Sequence, residues 1–167
     1  MPVIKDGRIG ADPYVDLADG EPLPGEGPVI VSLARWRAER ATLLARGGHI
    51  GVRLASNEPA TDLADAVGVL ALIALEFPTF RDGRAYSTAR LLRERYRFGG
   101  ELRAVGNVLR DQYLFMQRCG FDAFEVKDED AVAAWQQAIN EFSVFYQPTG
   151  DGRLTAPLAR RLARAAE

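Results

Sequence analysis

Leu70-Ala71-Leu72-Ile73-Ala74-Leu75-Glu76-Phe77 is apolar at every position but one. A strand with one face in water alternates apolar and polar residues, and this stretch does not. It has the pattern of a strand covered on both faces, as in a parallel sheet. Shorter runs of the same kind flank it at 29–31 and 50–54 before it, and at 102–105, 123–126 and 144–146 after it. The centres of successive runs lie about 20 to 30 residues apart, close to the minimum for a strand–helix–strand unit.

Helical patterns fill the intervals. Ser32 caps a helix to about Ala45, which Gly47-Gly48 ends, because glycine accepts the left-handed conformation just beyond a helix. A short helix covers 61–66, and Ser87 opens another to about Tyr96. Asn107 caps a helix over 108–119 with Val108, Gln112, Phe115, Met116 and Cys119 on one face. Asp128 caps one to about Phe142 with Ala131, Trp135, Ala138 and Phe142 inward, and a basic helix covers 154–166. The expected fold is α/β: a mainly parallel sheet of about six strands with right-handed crossover helices, either open and doubly wound or an incomplete (β/α) barrel. Lys5-Asp6-Gly7-Arg8 has hairpin-turn chemistry, and 21–28 is a Pro/Gly linker. Residues 1–28 therefore read as a poorly packed arm, and 29–167 as a single α/β domain.

The chain has 167 residues, 47% hydrophobic and 26% charged, and a net charge of −2, the composition of one ordinary globular domain. One cysteine and one histidine leave no internal disulfide, no Cys/His zinc site and no four-cysteine iron–sulfur cluster. No apolar run reaches membrane-helix length, and Met1-Pro2-Val3-Ile4-Lys5-Asp6 lacks a basic region followed by an apolar stretch. The sequence reads as cytoplasmic, without a membrane role. Of 21 basic residues only Lys5 and Lys127 are lysine, and 23 carboxylates are interspersed among them. No clustered positive tract remains for a nucleic-acid backbone.

Ligands of parallel α/β folds bind beyond the carboxyl ends of the strands. After the central strand that rule selects 76–87, with Glu76, Arg81, Asp82, Arg84, Tyr86 and Ser87. Arg81 and Arg84 beside the first amides of a helix suit an oxyanion or a docking partner; the alternative is that Asp82 pairs with one arginine and the aromatics pin the loop. After the next strand the rule selects Asn107 and Arg110. Glu76, ending a nearly all-apolar strand, is a candidate polarised carboxylate. Cys119 has no CxxC partner and reads as an inert buried thiol, and His49 lies at the amino end of a strand, away from these loops. No nucleotide-binding glycine motif occurs; a flavin site needs no short signature, so flavin stays open as a cofactor.

The stretch 75–96, with Phe77-Pro78-Thr79-Phe80-Arg81-Asp82-Gly83-Arg84-Ala85-Tyr86-Ser87, resembles the bacterial family called domain of unknown function 934. So do Gly100–Gln112 and Arg118-Cys119-Gly120-Phe121-Asp122-Ala123-Phe124. The chain departs from the family pattern at Asn107 and Glu76, where that pattern implies aspartate. Such members are commonly labelled oxidoreductases of sulfite reduction, and their genes accompany assimilatory sulfite reductase. The resemblance therefore implies a sulfur-assimilation protein with sulfite reductase, or another protein of that process, as partner. Reducing sulfite to sulfide moves six electrons through metal centres, for which the sequence has no visible ligand set. Two expectations follow: an accessory subunit that binds a small anion, delivers electrons or docks, or a small-anion-processing oxidoreductase with a pocket at the strand ends.

Overall fold

The computed structural model describes residues 2–126 and 131–165. Five strands form the centre of the sheet: β4 (Val29–Ser32), β5 (Ile50–Leu54), β6 (Leu72–Phe77), β7 (Glu101–Gly106) and β8 (Ala123–Glu125). They are parallel and stand side by side in chain order. Because each right-handed crossover steps the same way, without reversal, every connecting helix falls on one face of the sheet. The sheet curls into a half-barrel, so the incomplete barrel is the form observed and the doubly wound form is not.

The two faces differ in chemistry. Outward-pointing Val29, Val31, Ile50, Val52, Leu54, Ile73, Leu75, Phe77, Leu102, Ala104 and Phe124 form one core with the helices. The concave face holds only Ile30, Leu72, Ala74 and Val105 as a second apolar cluster, with Tyr14 packed on it.

Among the described residues the sheet has eight strands rather than six. The N-terminal segment, expected to pack poorly, supplies three: β1 (Val3–Lys5), β2 (Arg8–Gly10) and β3 (Val15–Asp16). The expected hairpin is β1–β2; β1 pairs antiparallel with β8 at one edge, while β3 pairs parallel with β4 at the other. Residues 11–14 therefore cross the concave face from edge to edge. Two arginines fix the linker behind them: buried Arg35 donates to the carbonyls of Ala18 (2.9 Å) and Glu21 (2.6 Å), and Arg46 to those of Pro24 (2.7 Å) and Gly27. The segment 144–146 is not a strand; Phe145 makes only an isolated bridge to Thr155.

Helix α1 (Leu33–Ala45) begins as expected, with Ser32 Oγ accepting from the Arg35 amide at 3.0 Å. Three other starts differ. The 61–66 segment is a single 3₁₀ turn, Ala60–Leu63. Helix α2 (Arg84–Arg90) begins three residues before Ser87 and runs on into a π turn, Leu91–Arg95. That widened turn aims Arg93 at the carbonyls of Phe98 (2.7 Å), Gly100 (2.8 Å) and Gly120 (2.9 Å), and at the carboxylate of Asp122 (2.7 Å). Asn107 caps nothing: after a 3₁₀ turn at Arg110–Gln112, helix α3 covers only Tyr113–Arg118. The late start rotates Phe115 outward, while Gln112 and Met116 stay buried. In α4 (Ala131–Ile139) Ala131, Trp135 and Ala138 face inward as expected, but Phe142 lies beyond the helix and is exposed. The Asp128 cap falls outside the described residues. Helix α5 (Ala156–Ala165) buries no side chain, and no described helix is long and apolar enough to cross a membrane.

Candidate functional site

Strand β6 delivers its loop to the carboxyl rim of the half-barrel, and the polar groups of that loop satisfy one another. The Asp82 carboxylate accepts from Arg84 Nε at 2.9 Å and from Arg84 NH2 at 2.6 Å, a bidentate pair. It also accepts from the Arg84 amide at 3.2 Å, just ahead of the first turn of α2, whose N-cap is Gly83 and not Ser87. Arg84 donates further to Ser56 Oγ at 2.9 Å, tying the loop to the end of β5. The Arg84 and Ser56 hydrogen bonds hold the Asp82 carboxyl well below the usual carboxylate range.

Arg84 is committed to Asp82, and Arg81 is exposed beside exposed Phe80. Tyr86 points into the helix layer instead of the rim, its ring edge-on to Phe77 at 5.3 Å. Burial pushes its phenol up to about 12, with the Cys119 thiol adding to the shift and a hydrogen bond to Gln112 opposing it. Ser87 lies exposed within α2. Cys119 is half-buried, and burial raises its thiol as expected of an unreactive one.

The loop after β7 lies against the first. The Asn107 amide donates to the Phe77 carbonyl at 2.7 Å, and Gly106, at φ +90°, sits where a Cβ would come within 2.7 Å of that carbonyl oxygen. Asn107 and Arg110 line a cavity of about 260 Å³ with Leu109, Tyr113 and Glu125. Of the residues expected at the site, this cavity gathers only those two. Among the described residues no three His, Cys, Asp or Glu side chains come together in a metal-binding arrangement.

A second group of charges lies elsewhere, on the concave face. Arg53, Ala74 and Arg103 lie in one cross-strand row, and Glu76 and Val105 in the next toward the rim. Arg103, 3% exposed, donates through Nε to Glu101 at 2.8 Å and through both terminal nitrogens to Asp12 at 2.5 and 3.1 Å. Lys5 completes the chain of charges by donating to Glu101 at 2.7 Å, and the Tyr14 ring stacks over the Arg103 guanidinium at 5.5 Å. The Glu101 hydrogen bond raises the Lys5 ammonium above its ordinary value. Arg53 pairs with Asp16 of β3. Between arm and sheet lies a cavity of about 280 Å³ lined by Asp12, Tyr14, Asp16, Arg53, Arg103 and Glu125, with Ile30 and Val105. Sequence reading placed none of these at a site except Glu76 nearby. The available signal was the alternation Glu101-Leu102-Arg103-Ala104, polar on one face of a strand buried on both.

A model of a family described as bacterial protein of unknown function (DUF934) matches residues 51–156. No curated protein matches the chain.

Proposed function

The chain belongs to the DUF934 family, and on that premise we propose that it is an accessory protein of assimilatory sulfite reduction, a docking subunit working beside sulfite reductase. The observation that carries the docking part is the internal commitment of Arg84. With its guanidinium held by Asp82 and Ser56, the rim loop is a closed, pinned element instead of an open anion cradle. What it turns outward is Phe80, 52% exposed, and Arg81; the adjoining loop adds Leu109, 40% exposed, and Arg110. Aromatic side chains and arginine are the residues enriched where proteins meet. The sulfite-reduction part rests on the resemblance of 75–124 to that family. Calorimetric titration of the purified chain into the host's sulfite reductase tests the reading. Binding at micromolar Kd or tighter, weakened at least about tenfold by Phe80→Ala with Arg81→Ala (about 1.4 kcal/mol), is expected; no heat of binding from the wild type refutes it.

The cavity beside Asn107 and Arg110 favours a second reading, an enzyme that processes a small anion at the strand ends. Turnover of sulfite or a related anion by the isolated chain, lost in Arg110→Ala, would move the assignment there.

A further inference from the structure

We propose that helix α5 lays its leucine face on an anionic lipid surface, binding at the headgroup level without spanning the bilayer. Every leucine and arginine of this helix is exposed. Leu158 and Leu162, four residues apart, share one face, while Arg160 and Arg164 fall on the opposite face and Arg161 at the flank. Leu162 is 56% exposed, and Leu154, one turn earlier in the chain, is exposed as well. A leucine stripe backed by arginines, on a helix of low overall hydrophobicity, is the pattern of helices that lie in the plane of the headgroups. The face is not the by-product of a loose tail. Phe145 is buried with the guanidinium groups of Arg118 and Arg153 at 4.0 and 5.3 Å from its ring. Arg118 also donates to Asp151 at 3.0 Å and to the Gln147 carbonyl at 2.7 Å, and the Ala156 amide donates to the Phe145 carbonyl at 2.7 Å. The base of α5 is therefore fixed, while within the helix only Ala156 and Ala159 are even half-buried.

Charge selects the occupant. Between Gly152 and Ala165 the sequence has no Asp or Glu. Arg160, Arg161 and Arg164 make no ion pair among the described residues. A second copy docking through the same helix would bring like charges together, so what covers this face must itself be negative. The choice between a lipid surface and an acidic protein follows from the apolar side chains. Protein interfaces draw most of their affinity from Trp, Tyr and Arg in fitted pockets, with leucine under-represented, and α5 has no aromatic residue. A lipid surface asks only for apolar area and positive charge, and the helix offers those. A helix lying on the surface needs no membrane-length run, so the absence of one, which set the expectation of no membrane role, does not bear on it.

The test is sedimentation of the full chain with vesicles, one set of equal parts phosphatidylglycerol and phosphatidylcholine, the other of phosphatidylcholine alone. The chain partitions onto the anionic set at least about tenfold more strongly than onto the neutral set, and salt releases it. Leu158→Gln with Leu162→Gln, and separately Arg160→Gln, Arg161→Gln and Arg164→Gln together, each lower that partitioning at least about tenfold. Both variants should melt within about 2 °C of the wild type, because the replaced side chains are exposed; where the leucine variant does not fold, the arginine variant decides. The proposal is overturned if the wild type does not pellet with the anionic vesicles, if it pellets equally with the neutral ones, or if a folded variant pellets as the wild type does. It is overturned in favour of an acidic protein groove if vesicles are not bound while the leucine variant loses affinity for the host's sulfite reductase.

Discussion

Replacing Arg103 by methionine removes the cation that joins the N-terminal arm to the sheet and leaves most of the side-chain volume in place. The Arg103 side chain is 4% exposed, its partners Glu101 and Asp12 7% and 18%. Removing one member of an enclosed ion pair costs about 3–5 kcal/mol, because the other is left charged and poorly solvated. The lower end applies here: Lys5 still faces Glu101, although its own side chain is 53% exposed and its attraction is screened, and Asp12 lies near enough to the edge to recover some water. A loss of about 3 kcal/mol lowers Tm of a domain this size by about 6–12 °C. The damage is local in origin, so a second readout applies. The amides of Val15 and Leu17, which donate to Pro28 at 3.0 Å and Ile30 at 2.9 Å, should lose hydrogen-exchange protection before those of β5 to β7. Arg103→Met with Asp12→Ala should recover part of the loss, since the orphaned carboxylate goes with the cation. A circular-dichroism melt within about 2 °C of the wild type, or unchanged protection at Val15 and Leu17, would refute the assignment of Arg103 as the anchor of the arm.

Gly106→Ala forces a side chain into φ +90° and puts its Cβ 2.7 Å from the Phe77 carbonyl oxygen; a stability loss of about 2–3 kcal/mol is expected, read as a lower urea midpoint. Tyr86 is predicted to titrate near 12, against 10.0 for an unperturbed phenol. Because the folded-state value is the higher one, its stabilising contribution is complete below pH 10 and is lost as pH rises toward 12. Tyrosinate absorbance, wild type minus Tyr86→Phe, should show the late phenolate, and a difference titrating at 10 would contradict its burial. Arg84→Ala, which removes an exposed side chain whose partners are Asp82 and Ser56, should melt within about 2 °C of the wild type; unfolding at room temperature would show that the pair holds more than its own loop.

The central strands and their parallel order were legible because local composition encodes them. A run such as Leu72–Phe77 is too apolar for any position but one covered on both faces, and the Ser32 cap is a property of four consecutive residues. The Asp82–Arg84 pair was legible as an alternative, since two residues of separation put it within reach of sequence reasoning. Helix starts were not, because Ser87 and Asn107 are good caps in isolation, and the tertiary fold starts α2 at Gly83 and puts a 3₁₀ turn before α3 instead. The arm was misread for a physical reason: strands of two or three residues carry almost no local signal, and their stability comes from partners far along the chain. Lys5 meets Glu101 across 96 residues, and Asp12 meets Arg103 across 91. Which way each crossover steps decided the remainder. Apolar runs are the same in a doubly wound sheet and in a half-barrel; only the unreversed order from β4 to β8 puts all helices on one face and leaves the other to the arm. That choice turned Arg53, Arg103 and Glu125, scattered in sequence, into the lining of one cleft, because residues two apart on parallel strands in register share a face that no single strand specifies.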